Sequence, residues 1–134
     1  MAEESDPVGP HELLLRRILN RQPDYIDMSL PMPVMRLAFR PTDTDVNGLS
    51  LFRSLFSTPR DIVQSGHNPA GYYVSELPHD GIVKIGVTVQ PDPQCGQPQG
   101  HSLIPEIRTD TRTSTQVLQL KLAELASKRI VHSP

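Results

Sequence analysis

The sequence predicts an α+β domain in which a small antiparallel or mixed sheet is accompanied by an N-terminal and a C-terminal helix. Three observations support this: β-rich segments cluster in the middle of the chain, helix patterns stand at both ends, and no segment repeats at a fixed period. The 134 residues suit one domain, and 14 Pro with 8 Gly require long connections. We expect a flexible arm over residues 1 to 9 and a compact domain over residues 10 to 134, with a Pro/Gln/Gly-rich loop at 90 to 100.

The N-terminal helix is predicted to start at Pro10, because proline is tolerated at the first helical position. Asn20 and Pro23 mark its end. Its apolar stripe consists of Leu14, Leu15, Ile18 and Leu19. A second, short helix is predicted after Thr58, an N-cap residue followed by Pro59 and Asp61, with Gly66 as its stop.

The C-terminal helix is predicted from a capping-box pattern in Thr113-Ser114-Thr115-Gln116. The apolar residues beyond it include Val117, Leu118, Leu120, Leu122 and Leu125. If these leucines cannot all face one core, the surplus must meet a protein partner or a second copy of the chain.

Five segments are predicted over residues 34 to 39, 49 to 56, 72 to 77, 82 to 89 and 101 to 104. The second is predicted as a strand or a short helix, and the others as strands. Asn47-Gly48 is a hairpin signal ahead of the second of these segments. The tetrad at residues 78 to 81 predicts a turn between the third and fourth segments, which would then form an antiparallel pair.

Composition excludes several classes of function. A net charge of -2, with three Tyr, three Phe and no Trp, offers neither a basic surface nor a stacking platform, so we expect no nucleic-acid and no membrane partner. The single Cys95 forbids an internal disulfide. The acidic N-terminus lacks the features of a signal peptide, so we expect a cytoplasmic protein.

Metal and catalytic motifs are incomplete. Asp43, Asp45, Asn47 and Gly48 begin like a calcium loop, but Ser54 stands where the closing glutamate belongs, which favours a simple turn. The histidines have no ligand spacing, and Cys95 has no neighbouring base. Nucleophile-elbow, Walker and dinucleotide motifs are lacking from the sequence. We therefore predict no metal and no cofactor, and assign no catalytic residue.

The candidate ligand-binding residues are polar side chains that flank the predicted strands. Arg36 and Arg53 stand among apolar neighbours, where they would either orient a phosphate or carboxylate or form ion pairs with Asp45 or Glu76. The complete set is Arg36, Ser50, Arg53, Tyr73, His101 and Glu106.

A pattern within residues 36 to 105 resembles a family of small uncharacterised prokaryotic proteins. It consists of Ala38-Phe39-Arg40-Pro41, then Asp45, Gly48-Leu49-Ser50 and Arg53, with Pro91-Asp92-Pro93 and Gly100-His101 further on. The resemblance implies a bacterial type of compact domain and brings no reaction with it.

Two functional hypotheses follow. The first is a non-enzymatic interaction or regulatory protein that meets a protein partner or a second copy through its C-terminal helix. The alternative is a small nucleotide-handling enzyme resembling ADP-ribosyltransferases, in which Arg36 or Arg40, Ser50 or Tyr73, and His101 or Glu106 would surround a dinucleotide. The sequence leaves open whether the protein is an enzyme.

Overall fold

A six-stranded antiparallel sheet organises the chain, which a computed structural model describes over residues 2 to 134. The sheet order is β4-β5-β2-β1-β3-β6, where the strands are β1 Leu13–Leu19, β2 Leu49–Arg53, β3 Tyr72–Pro78, β4 Gln90–Pro91, β5 His101–Ile104 and β6 Ile130–His132. The helices are α1 Pro59–Gln64, α2 His79–Ile85 and α3 Gln116–Ala126, with 3₁₀ turns at Arg36–Phe39 and Thr109–Thr111. The α+β class and the C-terminal helix are confirmed.

The predicted N-terminal helix is wrong, because residues 13 to 19 form the central strand β1. Leu14 and Ile18 are buried on one face of the sheet and Leu15 on the other. A strand covered on both faces has a nearly continuous apolar sequence, and here the spacing of its apolar residues also fits the apolar stripe of a helix. Pairing with β3 over the whole length of β1 decides the conformation.

Two predicted strands also differ. Residues 36 to 39 form a 3₁₀ turn, and Val34 contributes only an isolated bridge to Ile26. Residues 79 to 85 form α2, which buries Ile82 and ends at Gly86 with a φ of 110°. The predicted turn tetrad therefore starts a helix, with Asp80 in its first turn where the helix dipole favours an acid.

The remaining elements follow the prediction more closely. α1 has the predicted N-terminus, where the Thr58 and Asp61 side chains each accept a hydrogen bond from the other residue's backbone N–H. β2 begins just after Asn47-Gly48, but it pairs with β1 and β5 rather than with the segment before the turn. The hairpin prediction is thus wrong and the strand is correct. The N-cap of α3 is Thr115, whose hydroxyl donates to the Thr111 carbonyl instead of closing a capping box.

The sheet has two differently covered faces. Face 1 packs against α2, α3 and the first 3₁₀ turn, and its core includes Leu14, Leu49, Phe39, Ile82 and Leu122. Face 2 carries α1 and a smaller core of Leu15, Phe52, Ile62 and Val74.

Among residues 2 to 134, no helix has the length and apolar character needed to cross a bilayer.

Candidate functional site

Ser50 and His101 form a hydrogen-bonded pair on face 2. Ser50 Oγ lies 3.0 Å from His101 Nε2. β2 and β5 are antiparallel, with Phe52 opposite His101, so Ser50 and Phe52 share the face of His101. Two residues of the predicted candidate set therefore meet because strand pairing brings them together.

Asp92 completes the group. His101 Nδ1 lies 2.9 Å from the backbone carbonyl of Asp92 and 3.2 Å from Asp92 Oδ2. Because a carbonyl can only accept, Nδ1 must carry a proton, and in the neutral tautomer that this selects Nε2 offers its lone pair to the Ser50 hydroxyl. The arrangement has the order of groups that activates a serine: hydroxyl, imidazole and carboxylate.

The imidazole is held in place from several sides. Its side chain is only 4% exposed, and its ring packs edge-on against Phe52 with the centroids 5.5 Å apart. Asp92 N–H donates to the His101 carbonyl at 2.9 Å, and Gln94 Nε2 donates to Asp92 Oδ2 at 2.6 Å. These contacts limit rotation of the His101 imidazole and of the Asp92 carboxylate.

Arg16 fixes the backbone of Ser50 from the neighbouring strand. Its Nη1 donates to the Ser50 carbonyl at 2.7 Å, while Nη2 and Nε donate to the Ala38 carbonyl at 2.7 Å and 3.1 Å. Burial lowers the pKa of this guanidinium, which still keeps its charge. Arg16 thus joins the first 3₁₀ turn to the strand that carries Ser50.

A small polar pocket of about 180 Å³ opens beside Ser50 and His101. It is bordered by the loop before β2 and by the Pro/Gln/Gly-rich loop, and it is lined by Asp45, Asn47, Gly48, Asp92, Gln94 and Gln97 among others. The amides of Asn47 and Gln97 are donors that could face a developing oxyanion. The pocket is smaller than most small-molecule sites, so only a short acyl group fits it.

Arg53 is not part of this group. Predicted to pair with Asp45 or Glu76, it forms an ion pair with Glu12 instead, at 2.5 Å from Nε to Oε1. Asp45 accepts from Thr42, and Glu76 pairs with Arg129 at 2.8 Å. The Arg53 guanidinium also donates to the carbonyls of residues 4, 6 and 7, in the segment predicted as a flexible arm.

The other three predicted residues belong to separate environments. Arg36 donates to Gln119 on α3, and Tyr73 lies in the core of face 1, with its hydroxyl 3.5 Å from Gln22 Nε2. Glu106 accepts two hydrogen bonds from Thr88. The structure therefore unites Ser50 and His101, and separates them from Arg36, Arg53, Tyr73 and Glu106.

Asp92 and Arg16 are the site residues that sequence reasoning missed. Asp92 stood in the Pro91-Asp92-Pro93 motif, an acid held between two residues of fixed φ, and that motif was the available signal. Arg16 had no comparable signal. No group of three His, Cys, Asp or Glu able to hold a metal ion occurs in the described part of the chain.

No protein-family model, curated protein or solved structure matches this chain. The function must therefore be argued from the geometry.

Proposed function

We propose that Ser50, His101 and Asp92 form a serine-nucleophile site that hydrolyses small esters or related acyl compounds. The observation that carries the proposal is the pair of contacts made by the His101 ring: Nδ1 lies 2.9 Å from the Asp92 carbonyl oxygen, and Nε2 lies 3.0 Å from the Ser50 hydroxyl.

The reaction requires four steps. Ser50 Oγ bonds to the acyl carbon while His101 Nε2 takes the hydroxyl proton, and the carbonyl electron pair moves onto its oxygen. When that oxygen re-forms its double bond, the leaving oxygen departs with its bonding electrons and receives the proton from His101. Water then attacks the acyl-Ser50 ester as His101 takes its proton, and that proton returns to Ser50 when the acid leaves.

The first experiment measures covalent labelling of Ser50. We expect methanesulfonyl fluoride, whose methyl group suits the small pocket, to add one methanesulfonyl group with loss of fluoride, located on Ser50 by peptide mass spectrometry. His101→Asn should slow the addition by at least about 100-fold, since the amide still donates toward Asp92 but cannot act as the base. Ser54→Ala, just beyond the same strand, is the matched control and should label like the unmodified protein.

The second experiment measures turnover of p-nitrophenyl acetate. Ser50→Ala should remove turnover, while its unfolding midpoint stays near that of Ser54→Ala. An unlabelled Ser50 together with turnover unaffected by Ser50→Ala would refute the hydrolase and leave the pair as a link between β2 and β5.

A second candidate is the non-enzymatic interaction or regulatory role through the C-terminal helix. It is supported by the outer surface of α3, where Val117 is 66% and Leu120 is 48% exposed although Leu122 on the same helix is fully buried. A second copy of the chain binding there would give concentration-dependent sedimentation, abolished by Leu120→Lys and retained by Val46→Lys, which alters an apolar residue elsewhere that is 63% exposed. A monomer at all concentrations would exclude self-association.

The nucleotide-handling alternative resembling ADP-ribosyltransferases has less support. Its Arg36, Ser50 and Glu106 have separate hydrogen-bond partners, and Arg36 packs with α3 on face 1 while Ser50 faces the opposite side. Calorimetry with NAD tests it directly: heat of binding lost on Ser50→Ala and on Glu106→Gln would favour it over the hydrolase.

A further inference from the structure

Half of the arginines in the chain, five of ten, line two adjoining cavities. The larger cavity, about 390 Å³, is lined by Arg21, Arg40 and Arg112, and the smaller, about 130 Å³, by Arg16, Arg17 and again Arg40. Both also share Tyr25, Leu37 and Thr42, so the two cavities adjoin on one stretch of the surface. We call this surface the arginine groove.

The charge of the arginine groove is opposite to that of the whole protein. Its lining holds five arginines and two carboxylates, Asp24 and Asp43, so its formal charge is five minus two, or +3, whereas the chain carries -2. Lysine is missing from this lining, although the chain has three. The selection of guanidinium over ammonium matters, because only guanidinium makes paired, planar hydrogen bonds to an oxyanion.

The arginines are not neutralised by buried acids. The Asp43 partner of Arg112 is 96% exposed and lies 3.1 Å away, and the Arg21 pair with Asp24 is exposed on both sides at 3.3 Å. Such surface pairs contribute little and exchange easily for another anion. Arg112 Nε is buried and has no hydrogen-bond partner within residues 2 to 134. An unsatisfied buried donor of this kind carries a desolvation cost, which a bound anion would offset.

The groove also offers an aromatic ring and an apolar wall. The Arg21 guanidinium stacks over the Tyr25 ring at 5.9 Å from its centroid, and Leu37 lines both cavities. The volume of the larger cavity lies within the usual range for small-molecule sites. The groove thus combines anion donors with a surface for a flat organic group.

We propose that the arginine groove binds a small phosphorylated compound, with its phosphate groups at Arg21, Arg40 and Arg112 and its organic part against Tyr25. This site is separate from the Ser50 and His101 pair and does not rest on the proposed hydrolysis. The compound is identified by its chemistry: two or more phosphate charges on a small planar body.

Calorimetric titration of the full chain with pyrophosphate and with ADP tests the proposal. We expect both to bind, ADP more tightly than pyrophosphate, and both affinities to fall as sodium chloride is added. Arg40→Gln should weaken each affinity by about 10-fold or more, because Arg40 borders both cavities. Tyr25→Leu should remove the advantage of ADP and leave pyrophosphate unchanged.

The matched control is Arg60→Gln, which removes an exposed arginine on α1 away from the groove and should leave both affinities unchanged. No heat with either compound, or an equal loss in Arg40→Gln and Arg60→Gln, would overturn the proposal. Since Arg40 is exposed, folding of its variant is expected and is checked by its thermal midpoint. Ser50→Ala should still bind pyrophosphate, so failure of the hydrolase and failure of the groove are distinguishable.

Discussion

Arg53 and Glu12 form a bidentate ion pair inside the protein, with Nε 2.5 Å from Oε1 and Nη2 2.9 Å from Oε2. Both side chains are nearly inaccessible, at 2% and 6% exposure. Arg53 also lies over the Phe56 ring and donates to backbone carbonyls of the N-terminal segment. This geometry depends on the planar fork of the arginine side chain.

Arg53→Lys should lower the free energy of unfolding by about 1 to 3 kcal/mol, because an ammonium cannot reproduce the fork and leaves carbonyl groups unpartnered. Urea titration followed by circular dichroism measures the change. Arg60→Lys, at an exposed position, should change it by less than about 0.5 kcal/mol. Equal effects of the two substitutions would show that the pair contributes no stability.

The second prediction concerns acid stability. Although burial by itself raises the pKa of Glu12, hydrogen bonds from Arg53 and from Gly9 N–H outweigh it and hold the pKa below the ordinary 4.5. A lowered folded-state pKa stabilises the protein above the unfolded value, and that stabilisation disappears as the pH falls through the folded-state value. The difference in unfolding free energy between the protein and Glu12→Gln should therefore shrink as the pH is lowered past 4.5.

Urea unfolding measured from about pH 7 to about pH 3 tests this. Glu3→Gln, at an exposed carboxylate, provides the comparison. A difference between the protein and Glu12→Gln that stays constant through the acid range would contradict the assigned role of the ion pair.

The third prediction concerns Gly48, at the entry to β2. Its φ is +145°, and a Cβ there would lie 2.6 Å from the Ile104 carbonyl oxygen on β5. Gly48→Ala should cost about 2 kcal/mol or more, since both the backbone and the contact oppose it. Gly96→Ala has a positive φ of 87° with open space around it, so its smaller loss isolates the backbone contribution.

The fourth prediction compares two leucines of α3. Leu122 is fully buried and Leu120 is 48% exposed. Leu122→Ala should cost about 2 to 5 kcal/mol by leaving a cavity, whereas Leu120→Ala should cost about 0.5 kcal/mol or less. Thermal and urea unfolding measure the cost of both substitutions.

Deleting residues 113 to 134, which include α3, should leave a product without a cooperative unfolding transition. A cooperative transition retained after that deletion would show that α3 is detachable from the sheet.

The sequence predicted elements whose signals are local. α1 has its cap and first-turn proline within four residues, and α3 has a continuous helical pattern. β1 could not be predicted, since its apolar spacing fits either element and pairing with β3 decides between them. α2 was missed because Ile82 and its neighbours suit a strand equally well, and packing of α2 against α3 selects the helix.

The candidate site was predicted in the same uneven way. Ser50 and His101 both belonged to the predicted set of ligand-binding candidates, but their direct hydrogen bond was not predicted, because they are 51 residues apart. Arg16 lies in the middle of β1 and Asp92 directly follows β4, and their roles exist only after the register of the sheet is set. The arginine groove likewise combines residues from both ends of the chain.

The shortness of the outermost strands has a consequence for how the protein behaves at high concentration. β4 has two residues, one of them proline, and β6 has three, so neither border of the sheet presents a long row of free backbone donors and acceptors. Strand-to-strand addition, the usual route to fibrous aggregates, is disfavoured at both margins. Molecules of this chain that associate should therefore do so through side chains and remain able to separate.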